Sequence, residues 1–162
     1  MNATTQSDVW ITATRFWKAV AAGVMTGVAT AIIMAVGLKT GVSPFPEPLG
    51  LAFAEWVVGQ ALPLPVGILF HLAYVTGWSV LFILLAPRWL RFWPILAFGI
   101  ALWLLAILVF TPLVGWGVAA TGVAGGKGIV ATLIPHLLFS LFLWLSCRWL
   151  FRSVLSATEP AP

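Results

Sequence analysis

Four apolar stretches, Phe16–Leu38, Leu64–Leu85, Trp93–Val114 and Ile129–Leu150, set the limits on what this chain can fold into. Each is close to the ~20 residues that a helix needs to cross a ~30 Å hydrocarbon layer. No water reaches backbone N–H and C=O groups inside such a layer, so each stretch is expected to satisfy them itself, as a helix. Only 7% of the 162 residues are charged and 62% are hydrophobic, against about 25% charged in a soluble domain. So little charge cannot cover a water-facing surface. The expected fold class is an all-α integral membrane protein with four transmembrane helices in a bundle.

Proline agrees with these limits. Pro63 and Pro65 open the second stretch and Pro87 follows it, while Pro94 lies in the first turn of the third and Pro112 near its end. These are the positions a helix tolerates, because the missing N–H has no intrahelical partner at a first turn. Arg15 and Lys18 at the start of the first stretch suggest a signal peptide, but the stretch is longer than a 7–15-residue h-region, and Ala29-Thr30-Ala31 is a poor cleavage site. The first helix is expected to remain. The polar segments 1–14 and 153–162 read as short, mostly disordered tails on either side of a transmembrane domain over 15–152.

Basic residues give an expected orientation. Six of the eight, Arg15, Lys18, Arg88, Arg91, Arg148 and Arg152, fall at one end of the helices, and only Lys39 and Lys127 at the other. Positive charge is retained on the cytoplasmic side, which places both termini in the cytoplasm of a bacterial-type inner membrane. Trp17, Trp89, Trp93 and Trp149 would form a belt at that face, and Trp56 and Trp116 one at the outer face. The net charge of +4 is therefore a topology signal, and no basic stripe suited to nucleic acid is present. The lipid bilayer is the expected partner, with a homo-oligomer or a larger membrane complex compatible. The single Cys147 excludes an internal disulfide and a cysteine-only metal site.

The first outer connection carries a proline cluster, then Leu49–Leu62, which reads as a short interfacial helix with Leu49, Phe53, Trp56 and Val57 on one side. The alternative is a lid with Glu55 directed toward the helices. The glycine-rich connection 115–128 lacks phosphate-loop spacing and reads as flexible. In the first helix Ala22, Gly23, Thr26, Gly27 and Thr30 recur at spacings of four, which lets helices approach closely in lipid.

Chemistry is sparse. No Asp or Glu lies within a spanning stretch, Ser/His/Asp catalysis lacks an embedded acid, and no HExxH zinc motif occurs. No catalytic residue is assigned. The chain's two histidines stand out. His71 and His136 each follow the start of a helix by about seven residues, on helices running in the same direction, so both are expected roughly 10 Å below the outer boundary. Tyr74, Val75 and Trp78 share the His71 face. Thr132, His136, Ser140 and Cys147 form the most polar stripe of the spanning region, which should point inward. Pro135 bends the helix beside His136.

Several roles stay open for this pair. The simplest is one interhelical hydrogen bond each, worth about 0.6 kcal/mol. As cofactor ligands they would hold a b-type haem, or a transition metal with Glu55 as third ligand. They are also the residues suited to proton handling near neutral pH. Having no cofactor is the leading expectation.

The layout resembles small bacterial inner-membrane families of four helices, one of them linked to acid resistance. The shared elements are a Gly/Thr-rich first helix ending near a methionine (Gly27–Met34, GVATAIIM), a histidine with a following aromatic in helix two (His71–Tyr74, HLAY) and a histidine in helix four (His136–Phe139, HLLF). The resemblance implies a small membrane protein acting in envelope physiology or as an accessory subunit, and carries over no catalytic residue. Electron transfer through haem or metal, and transport by an oligomer, are the alternatives.

Overall fold

The computed structural model describes residues 3–151, with side chains from residue 13 onward. The segment 153–162 expected to be disordered lies outside these residues. The described chain is helical with no strand. Helix α1 spans Ala3–Lys39, α2 Leu49–Val58, α3 Leu64–Leu85, α4 Phe92–Leu113 and α5 Lys127–Leu150. Four helices are long and apolar enough to cross a membrane: Ala13–Lys39 within α1, then α3, α4 and α5. These match the expected stretches within a few residues.

Helix α1 begins before the expected boundary and runs through the segment read as a polar tail. No proline or glycine occurs between Ala3 and Thr14, so nothing there halts a helix that gains one bond per added residue. Its other end is set by Gly41, whose φ of 72° puts the chain in the left-handed region, a common way to finish a helix. Gly59 ends α2 in the same way, with φ 77° and its N–H donating to Glu55 O at 2.7 Å. Helix α4 contains a wide turn at Ala106–Phe110, where Thr111 N–H donates to Ala106 O, five residues back.

Helix α1 packs against both α3 and α5, and α4 packs against α5. Lipid gives no hydrophobic drive for helix association, so fit and small residues decide these contacts. At Gly23 an added Cβ would lie 2.8 Å from Thr76 Cα, and at Gly27 one would lie 3.0 Å from Leu72. Helix α4 approaches α5 at Gly99, where a Cβ would overlap Ser140 Oγ. Helices α3 and α4 meet instead through rings: Phe82 stacks on Phe98 at 4.6 Å, and Trp78 and Phe98 meet edge to face at 6.2 Å. The core between the helices joins Ala19, Ala22, Val75, Ile83, Leu143 and Cys147.

Both connections at the other end are folded. Helix α2 buries Leu51, Ala52 and Ala54 against the other helices, and leaves Trp56 and Val57 of the side read as interfacial exposed. The reason is close backbone approach. A Cβ on Gly67 of α3 would lie 2.6 Å from Leu51 Cβ, so α3 presents a slot that α2 fills with its narrow face. The connection 115–128, read as flexible, is folded into a 3-10 turn at Val118–Ala120 and a short helix at Thr121–Ala124. Trp116 anchors it. It is 6% exposed and stacks on Phe45 at 5.4 Å, so it is a packing residue and not part of a surface belt. Trp17, Trp89, Trp93, Trp149 and Trp56 remain exposed, as expected.

The α1–α3 contact makes a paired prediction. Gly23→Ala should destabilise the fold by about 1–3 kcal/mol, because the obstacle is a helix backbone that has to shift. Gly77→Ala, where nothing lies within 4 Å, should be neutral or stabilising by up to about 1 kcal/mol through helix propensity. Thermal unfolding of both variants in detergent checks the contrast.

Candidate functional site

A cavity of about 1030 Å³ lies between the helices at the α2 end of the molecule. His71 and His136 both line it, together with Thr30, Tyr74 and Thr132. Thr30, His71 and His136 each lie seven to nine residues from the nearer ends of α1, α3 and α5, about 10–14 Å along those helices. The remaining wall is largely apolar and aromatic. Phe53 of α2, Phe70 and Tyr74 of α3 and Phe110 of α4 form a chain of edge-to-face rings, with centroids 5.0–6.3 Å apart. The wide turn in α4 places Ala106 and Phe110 on this wall; such turns concentrate at functional sites.

Each histidine is held by one ring nitrogen. His71 Nε2 lies 3.0 Å from Thr30 Oγ1. The Thr30 hydroxyl also has the carbonyls of Thr26 and Gly27 as acceptors, at 2.9 and 3.1 Å. With its proton directed there, the His71 Nε2–H donates to Thr30, and Nδ1 is left without hydrogen or protein partner. This bond ties α3 to α1. The histidine in α5 is fixed differently: His136 Nδ1–H donates to Thr132 O of its own helix at 2.8 Å, leaving Nε2 open. An interhelical bond was expected of each histidine, and His71 alone makes one.

Thr132 carries the second link. Trp103 Nε1–H of α4 donates to Thr132 Oγ1 at 3.1 Å, and that hydroxyl donates to Gly128 O at 2.8 Å. Ser140 Oγ donates to His136 O at 2.9 Å. The polar stripe of α5 therefore faces inward, but its hydroxyls bond to their own helix rather than to one another. A Ser or Thr hydroxyl reaches the carbonyl four residues back with no help from another helix. Trp103 and Thr30 are the partners that sequence reading missed. Trp103 was one aromatic among many, and Thr30 read only as a small packing residue.

Tyr74 lines the cavity with its ring, but its hydroxyl is buried and is the one such side-chain atom without a hydrogen-bond partner among the described residues. The open nitrogens of His71 and His136 do not share that enclosure, and both residues line the cavity. Glu55 does not line the cavity. Its Oε1 accepts the Leu62 N–H at 2.9 Å and closes the turn after α2. Glu47 and Lys127 are the charged residues in the cavity lining, and both belong to the connection end. Among the described residues no group of three or more His, Cys, Asp or Glu is arranged to hold a metal ion.

Two predictions follow from these polar groups. Tyr74→Phe should raise stability by about 1–3 kcal/mol, the penalty of a buried hydroxyl left unpaired, read as a higher midpoint of thermal unfolding. The Glu47 carboxyl is held above the usual carboxylate range, first by burial and second by the charge of Glu55. Its ionised form is thus disfavoured in the fold, and its contribution to stability is lost as pH rises through its folded pKa. Glu47→Gln should stabilise the protein at pH 7 and change little at pH 4, in unfolding curves recorded at both values.

No protein-family model, curated protein or solved structure matches this chain.

Proposed function

We propose that this chain is a multi-pass protein of a bacterial-type cytoplasmic membrane, a four-helix bundle with both termini inside, that holds a small lipid-soluble molecule between His71 and His136. The observation that carries this reading is the composition of the cavity rim. Ile33 of α1 and Val130 and Ile134 of α5 border the cavity and are 40%, 58% and 51% exposed. Side chains of that kind belong in hydrocarbon, so the opening between α1 and α5 faces the lipid and admits what dissolves there. The volume and apolar walls agree with a ligand site, which commonly measures about 300–1,000 Å³ and carries a few polar groups. The basic residues clustered at the opposite end of the helices support the orientation. The physiological role is in the envelope, by the protein itself or as an accessory subunit of a membrane complex.

One observation favours a second reading, a haem b or metal subunit in electron transfer: each histidine leaves one ring nitrogen open on the same cavity. Purification in mild detergent, with an absorption spectrum and mass spectrometry of an organic extract, decides between them. The proposal expects a stoichiometric lipophile and no Soret band, with the lipophile lost in Ala131→Phe, which narrows the cavity. A Soret band lost in His71→Ala and His136→Ala would replace the proposal with the haem reading. An extract identical in wild type and Ala131→Phe overturns the proposal.

A further inference from the structure

The polar atoms left open at the level of the two histidines are of one kind. His71 keeps Nδ1 and His136 keeps Nε2 without a protein partner, and in the neutral ring each is a hydrogen-bond acceptor. Pro135, inside α5, has no N–H to give the Ala131 carbonyl, and Ala131 also lines the cavity. At the level of the histidines the hydroxyl protons that could have donated into the space are already committed, and Ser43, whose hydroxyl accepts from Phe45 N–H, lies in the connection after α1. Thr30 gives its proton to Thr26 and Gly27, and Thr132 to Gly128. The Tyr74 hydroxyl is buried and not accessible.

Charge narrows the ligand further. The lining has no cation at the level of the histidines, since Lys127 lies at the first residue of α5 and Glu47 in the connection before α2. A phosphate or carboxylate head at that depth would be desolvated with no counter-charge. The head that fits is neutral. It also lies beside Phe53, Phe70, Tyr74 and Phe110, whose rings offer faces and edges to a flat group.

We infer that the cavity selects a neutral lipid-soluble molecule with hydroxyl donors on an aromatic head, the chemistry of a quinol. The inference rests on the cavity being a lipophile site and assigns the donors to the ligand and the acceptors to His71, His136 and the Ala131 carbonyl. The aromatic cluster stacks the head, and the apolar tail leaves between α1 and α5 past Ile33 and Ile134.

The test uses the whole protein in detergent under anaerobic conditions, with tryptophan fluorescence reporting binding of three probes. These are a decyl-substituted benzoquinol, its dimethyl ether and the matching quinone. The ether and the quinone keep ring and tail but donate no hydrogen bond. The quinol should bind about tenfold or more tighter than either, as expected when a buried acceptor is left unmatched. His71→Ala combined with His136→Ala should reduce that preference to less than about twofold. Equal binding of the three probes by the wild-type protein overturns donor recognition and leaves the lipophile site standing. Binding of none of them overturns both. The wild-type comparison does not depend on any variant folding.

Discussion

Hydrocarbon offers no hydrogen bonds, and that constraint organises the whole molecule. It makes each long apolar stretch a helix, because only a helix satisfies its backbone within itself. It then governs the side chains. Thr26, Thr30, Ser79, Thr111, Thr132 and Ser140 are buried, and each returns its hydroxyl proton to a carbonyl three or four residues back. These residues cover the helix contacts at little polar expense, because their protons are satisfied before any neighbouring helix arrives. The bonds that cross between helices are correspondingly few: Thr30 with His71, and Trp103 with Thr132. Thr30, His71 and Thr132 border the cavity.

Packing follows from the same constraint. With apolar burial worth little between helices in lipid, close approach does the work. Helix α1 comes near α3 at Gly23 and Gly27, and α4 comes near α5 at Gly99. Where α3 and α4 lack such a residue, bulky rings fill the wider gap. The cavity lies at the α2 end, beyond the tightly packed core of Ala19, Ala22, Leu143 and Cys147. Space there is bounded by α2, seated in the Gly67 slot, and by the connection anchored by Trp116.

Much of this was legible in the residues. Span limits came from lengths of apolar sequence and the position of proline, and the structure moves them by few residues. The small-residue pattern of α1 located a close contact because glycine at spacings of four has one economical use in lipid. The inward stripe of α5 was legible because polar side chains at helical spacing have nowhere else to go. The partners of that stripe were not. Helix periodicity says which face turns inward, but rotation about the neighbouring axes decides that Thr132 meets Trp103 and that His71 meets Thr30. The face that α2 turns to the other helices was not legible, because its apolar residues surround the helix and a slot one glycine wide selects the small side.

The sequence by itself determined four membrane-length helices, their order, the depth of the two histidines and the asymmetry of charge between the ends. Each of these depends only on spacing along one chain. The tertiary structure decided that both histidines border one cavity, that each is fixed through a single nitrogen, and that Glu55 closes a turn. Those facts depend on how far apart helices stand, which is set by side-chain volume at their crossings and is not written in the period of any one of them.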